Sequence, residues 1–145
     1  MKIYVLGSTS FVKEMVAAVD KLKDAGHDGW IHPHYVDYVH HQDLPHVRRN
    51  FDHYAKGEAA QVKIENDYLR QHNKNILASD AIFIVNLEKN GIKNYIGGNV
   101  LMELGQAYVN GKKIFLLNPI PDMPYKDEII AVSPVVINGD YTKIV

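Results

Sequence analysis

The sequence predicts a single three-layer α/β domain over residues 1–145, with about five mainly parallel strands and helices on both faces. Three observations carry that prediction. The runs Ile3-Tyr4-Val5-Leu6, Ala81-Ile82-Phe83-Ile84-Val85-Asn86 and Ile114-Phe115-Leu116-Leu117 are apolar almost throughout, as strands covered on both faces are. Segments with helical spacing of apolar residues lie between them. A chain of 145 residues can bury roughly two thirds of the surface its unfolded form exposes, so one core suffices.

The first strand, Lys2 to Leu6, ends at Gly7-Ser8-Thr9-Ser10. Val12, Met15, Val16, Val19 and Leu22 then recur at helical spacing, with Thr9 or Ser10 as cap and Gly26 as stop. The turn between them sits at the carboxyl edge of a parallel sheet, where ligands bind, and its amides and hydroxyls suit a phosphate or sugar oxygen; with no full GxGxxG and no Walker lysine, a plain strand-to-helix connection is the other reading. A second strand is expected within Trp30 to Val36, short or at an edge because of Pro33.

Residues 27–56 read as a long binding loop or lid that carries seven of the eight histidines. No HExxH pattern occurs, and spacings such as His32-x-His34 or His40-His41 arise readily in polar loops, so no metal site is assigned. Arg48 and Arg49 in this stretch are candidate phosphate contacts. Gly57 to Ala78 favours helix, with Asp67 and Tyr68 inside it. The strongest strand follows at Ala81 to Asn86, then a polar loop to Ile96. A helix running to Gly111, a buried strand ending at Asn118, a proline-stiffened loop, a short helix around Lys126 to Ala131 and a last strand at Val135 to Ile137 complete the chain.

Zero cysteines exclude disulfides, thiol nucleophiles and zinc-thiolate sites. Sixteen Lys and Arg nearly cancel seventeen Asp and Glu, which gives a net charge of -1 and argues against bulk nucleic-acid binding. No apolar run approaches a membrane span and no signal peptide is present, so the protein is expected to be soluble and cytoplasmic, with no membrane partner.

The stretch Gly97-Gly98-Asn99-Val100-Leu101-Met102-Glu103 carries the chemistry. With Asn99 as helix cap, Glu103 lies one residue beyond the capping-box position, and its neighbours Val100, Leu101, Met102 and Leu104 are apolar. Either it is an exposed first-turn residue that answers the helix dipole, or it is a carboxylate in a partly dry pocket, fit to act as nucleophile or base.

Tyr4-Val5-Leu6-Gly7-Ser8, Asn66-Asp67 ahead of Ile76 to Ala81, and Gly98 through Glu103-Leu104-Gly105-Gln106-Ala107 to Gly111-Lys112-Lys113 together resemble the nucleoside 2-deoxyribosyltransferase superfamily, which includes the deoxynucleoside 5'-monophosphate N-glycosidases. The similarity runs through most of the chain in the same order. It implies a flavodoxin/Rossmann-like fold, a homodimer or larger oligomer, a small-molecule nucleoside or nucleotide as substrate, no cofactor, and N-glycosidic bond cleavage or transfer. On this resemblance Glu103 matches the nucleophile, Asp67 the residue that handles the proton and the base, and Tyr4 the tyrosine near the nucleophile. Gly7 and Ser8 match backbone near sugar or phosphate, and Gly97, Gly98 and Asn99 stand beside them as substrate-binding candidates. Gly97 occupies a position where the family commonly has aspartate or serine, and Thr9-Ser10-Phe11 replaces its glycine- and arginine-rich phosphate loop. Those departures leave a non-catalytic nucleotide-binding module as the alternative.

Overall fold

A computed structural model describes all 145 residues. Five strands form one sheet in the order β2-β1-β3-β4-β5, every neighbouring pair parallel. They are β1 (Lys2–Gly7), β2 (Asp28–Trp30), β3 (Ala81–Val85), β4 (Lys113–Leu116) and β5 (Val135–Val136). The helices are α1 (Val12–Asp24), α2 (Pro33–His40), α3 (Pro45–Ala55), α4 (Ala59–Asn66), α5 (Tyr68–Leu77), α6 (Gly98–Val109) and α7 (Lys126–Ala131). This is a three-layer α/β fold of the flavodoxin/Rossmann type, with its order reversal between β1 and β3.

The period of two along each strand divides the apolar residues between two cores. Ile3, Val5, Ala81, Phe83, Val85 and Phe115 face α1, where Met15, Ala18 and Leu22 cover them. Tyr4, Leu6, Ile82, Ile84, Ile114 and Leu116 face the other way, onto Ile76 of α5, Val100, Leu104 and Ala107 of α6, and Ile129 of α7. The near-continuous apolar runs read from the sequence are the consequence of burial on both faces.

Residues 27–56 differ from the expected loop. The strand is only Asp28–Trp30, at the sheet edge, and Pro33 opens α2 instead of limiting a strand. Proline suits that first helical position because its missing N–H would lack an intrahelical partner anyway. The His32 ring caps the helix by accepting from the His34 amide at 3.1 Å. Pro45 opens α3 in the same way. The helix-favouring stretch from Gly57 to Ala78 forms two helices broken at Asp67, whose φ of 51° is left-handed.

The turn after β1 is tight. A Cβ at Gly7 would lie 2.8 Å from Met15 Sδ and 2.9 Å from the Val85 carbonyl, so only glycine lets α1 and β3 approach here. Asn86 fastens the corresponding edge of β3. It is fully buried, its Nδ2 donates to the carbonyls of Asn94, Asn118 and Pro119, and its Oδ1 accepts from the Asn118 amide. The loops that rim the sheet's carboxyl edge are thereby tied to one side chain. No helix is long and apolar enough to cross a membrane.

Candidate functional site

At the carboxyl ends of β1 and β3 the loops enclose a cavity of about 540 Å³. This is where the strand order reverses, the place at which open α/β sheets bind ligands. Its wall draws on the turn after β1 (Gly7 to Ser10), on α2 (His34, Tyr35), α4 (Lys63), α5 (Tyr68, His72), the loop before α6 (Lys89, Tyr95) and α6 itself (Gly97 to Val100, Glu103).

Helix α6 begins two residues earlier than the cap read from the sequence. Gly97, not Asn99, is the N-cap: its carbonyl accepts from the Leu101 amide at 2.9 Å, and no side chain caps the first turn. Glycine costs only a few tenths of a kcal/mol at this position, so the helix tolerates it. The shift moves Glu103 out of the first turn. It is buried, with 6% of its surface exposed, which removes the reading of it as an exposed glutamate answering the dipole.

The surroundings of Glu103 are unusual for a carboxyl group. Neither oxygen makes a hydrogen bond to the protein, and neither is sealed away, so both meet the open space of the cavity. No other carboxylate lines the cavity. Burial raises its pKa from 4.5 to about 8, with Lys63 pulling the other way. Glu103 is therefore mostly a neutral acid at pH 7.

His72 is its nearest titratable partner, with Nδ1 3.9 Å from Glu103 Oε1. Tyr4 does not line the cavity. It is fully buried beneath it, its hydroxyl 2.7 Å from His72 Nδ1 and accepting from Asn75 Nδ2 at 3.2 Å. Burial, and behind it the neighbouring His32, lowers the His72 pKa to about 3, and burial lowers that of His34 to about 2, so both rings are neutral at physiological pH. His34 stacks on Tyr68 with centroids 4.1 Å apart, and Tyr35 packs beside it at 3.9 Å. These rings make a largely aromatic wall.

Opposite in character are the cations and hydroxyls. Lys89 Nζ donates to Ser8 Oγ at 3.1 Å and lies over the Tyr95 ring at 5.1 Å. Ser8 Oγ in turn accepts from the Ser10 amide at 3.3 Å. With Lys63 and the uncapped amides at the start of α6, they give the cavity several donors suited to an anion.

Among the residues singled out from the sequence, the structure gathers Glu103, Gly7, Ser8, Gly97, Gly98 and Asn99 around one cavity. It does not bring Asp67 there: that carboxylate sits at the α4–α5 break, more than half exposed, with Arg70 Nη1 donating to it at 3.1 Å. The left-handed turn faces it outward. Arg48 and Arg49 are exposed on α3, and Arg49 lies 3.8 Å from Glu65, so neither reaches the cavity. The lysines that do line the cavity are Lys63 and Lys89.

In the histidine-rich segment no group of three or more His, Asp or Glu side chains is placed so that it could hold a metal ion. His46 pairs with Asp37, and His53 with Glu58 and Glu65. His32 and His34 instead join His72, the one histidine outside the cluster. That residue went unnoticed in the sequence, although its place four residues after Tyr68 and four before Ile76 marks it as part of a buried helical stripe.

Comparison of the chain with known protein families, with curated proteins and with solved structures finds no match. The functional reading therefore rests on the site.

Proposed function

We propose that the protein cleaves or transfers the N-glycosidic bond of a nucleoside, deoxynucleoside or nucleoside 5'-monophosphate, with Glu103 as the nucleophile. One observation carries the reading: a buried carboxyl group without any hydrogen bond to the protein faces an open cavity at the sheet's order reversal. Leaving a carboxyl group desolvated and unpaired costs stability, so a structural role does not account for it.

The rest of the wall fits the same substrate. The faces of Tyr68, Tyr35 and His34 suit a planar base. Lys89, Ser8, Lys63 and the start of α6 suit a phosphate or sugar hydroxyls. As the bond to the base stretches, the anomeric carbon becomes cationic, and an adjacent carboxylate either stabilises it or bonds to it, as in retaining glycosidases. The base leaves with the bonding electrons and takes a proton. Water then hydrolyses the sugar ester; a second base in its place gives transfer.

The second reading is a module that binds a nucleotide without turning it over. The absence of another carboxylate in the cavity favours it, since retaining glycosidases employ two. Chromatography of free base released from deoxy- and ribonucleosides and their 5'-monophosphates, wild type beside Glu103→Gln, separates them. Release that the variant loses supports the enzyme. Binding without release by the wild type supports the module.

A further inference from the structure

Glu103 and His72 enter the cavity from α6 and α5 and approach to 3.9 Å. The proton count between them follows from their neighbours. Asn75 turns its Nδ2 toward the Tyr4 oxygen and donates to it, so the Tyr4 proton points at His72 Nδ1. A neutral ring that accepts at Nδ1 carries its own proton on Nε2. That nitrogen has no hydrogen bond within the protein and is not sealed off, so it opens on the cavity.

No other group competes for the proton. Around His72 stand His32 and His34 at ring distances of 5.3 and 5.4 Å, Tyr35 at 5.8 Å, Tyr68 at 6.1 Å, and Tyr4. Around Glu103 stand Lys63 from α4 and the hydroxyls of Tyr4 and Tyr35. The tyrosines are held protonated by burial, and the two other histidines have burial pressing them neutral.

We propose that Glu103 and His72 act as a pair holding one proton, which rests on Glu103 in the empty cavity and moves to His72 as the sugar centre becomes cationic, so that His72 protonates the departing base. The proposal deepens the glycosidic reading above and rests on it. It also fills the place that Asp67, outside the cavity, leaves open.

The steps balance. The Tyr4 hydroxyl turns its proton off Nδ1 and becomes the acceptor there, while Oε1 moves about 1 Å toward Nδ1 to reach hydrogen-bond distance and passes its proton, leaving carboxylate and imidazolium. The carboxylate bonds to the anomeric carbon while the bond to the base breaks. Its electron pair stays on the base nitrogen, which takes the Nε2 proton, and His72 is again neutral with its proton on Nδ1. Water then bonds to the anomeric carbon and gives a proton to Nε2, the ester bond to Glu103 breaks, and the Nδ1 proton returns to Glu103. One water is consumed for each base and sugar released.

The pH dependence distinguishes this pair from a lone nucleophile. If Glu103 must lose its proton to solvent, kcat rises tenfold per pH unit until its carboxyl is ionised. If the pair must hold one proton, kcat is flat through neutrality and falls once that proton is lost. The experiment is the pH–kcat profile of base release by wild type, His72→Gln, which cannot carry a proton, and Tyr4→Phe, which keeps His72 and frees its Nδ1. The pair predicts an alkaline fall for wild type and Tyr4→Phe, and for His72→Gln a slower reaction whose rate rises with pH instead. A wild-type rate that rises with pH, or a folded His72→Gln with the wild-type profile, overturns the pair and leaves Glu103 as a glycosidase nucleophile.

If the wild type releases no base, the glycosidase reading fails and the pair is judged separately. The probe is the cationic iminosugar 1,4-dideoxy-1,4-iminoribitol, followed by 15N signals of His72 and 13C signals of Glu103. Conversion to imidazolium and carboxylate on its addition supports the pair. A His72 signal that stays neutral, with or without iminosugar binding, overturns it.

Discussion

Replacing Glu103 by glutamine should stabilise the protein at alkaline pH and leave it nearly unchanged at acid pH. The folded-state pKa is raised from 4.5 to about 8, so between those values the native protein holds a proton that the unfolded chain releases. The native state then binds more protons than the unfolded one, and stability falls as pH rises through this window. At about 1.4 kcal/mol per tenfold difference, the full span corresponds to roughly 4–5 kcal/mol lost by pH 8.5. Glutamine has nearly the same shape and never ionises. For a chain of this size the gain corresponds to about 10–15 °C in Tm. His34 and His72 act in the opposite sense, since their lowered pKa values withdraw stability as pH falls below the ordinary 6.5, but they are common to both proteins and cancel in the difference. The assay is thermal unfolding by circular dichroism at pH 4.5, 6.5 and 8.5. A Tm gap that opens with pH and is largest at 8.5 supports a buried, unpaired carboxyl group. A gap independent of pH, or a variant less stable than wild type at 8.5, refutes it.

Lys89→Ala should weaken binding of nucleoside 5'-monophosphates on the order of tenfold, measured by calorimetry, because it removes a charged donor from the cavity wall. Arg48→Ala and Arg49→Ala should leave that affinity unchanged, since both side chains lie outside the cavity. Asn86→Ala should lower stability by about 3 kcal/mol in denaturant titration, because it strands the Asn118 amide and three loop carbonyls. Asp67→Gly relieves the left-handed backbone while removing only an exposed pair with Arg70, so base release should stay at the wild-type rate and Tm should hold or rise slightly.

What the sequence makes legible follows the strength of its local patterns. Ala81 to Val85 is apolar at every position, and burial on both faces leaves no other use for such a run. Strands β1 and β4 and helices α1 and α6 share that clarity. Pro33 does not: proline both limits a strand and opens a helix, and only packing against α1 decides for the helix. Asp67 shows a different difficulty. Its place in the order of motifs, ahead of the central strand, made it a site candidate, but the direction of its side chain depends on one left-handed dihedral in a helix-favouring segment. Gly97 takes the cap position although Asn99 has the better side chain for it, because the carbonyl that begins the helix belongs to Gly97.

The site divides in the same way. Glu103 stood out because it interrupts an apolar helix. Lys63 and Lys89 are single lysines in polar segments, and nothing local distinguishes a lysine that faces a cavity from one that faces water. His72 was hidden by the seven histidines upstream, which drew attention to number where position on a buried helical stripe was the informative feature. The partnership of His72 with Tyr4 joins residues 68 positions apart, a relation that only the fold creates.

The measurement that tests the central claim most directly is capture of the sugar on Glu103. A 2'-fluorinated nucleoside, or its 5'-monophosphate, slows hydrolysis of a glycosyl ester because fluorine disfavours the cationic centre. After incubation and proteolysis, mass spectrometry should find the peptide containing Glu103 heavier by the fluorinated sugar, and Glu103→Gln should show no such peptide. Base release with no adduct on Glu103, or with an adduct on another residue, would contradict the account.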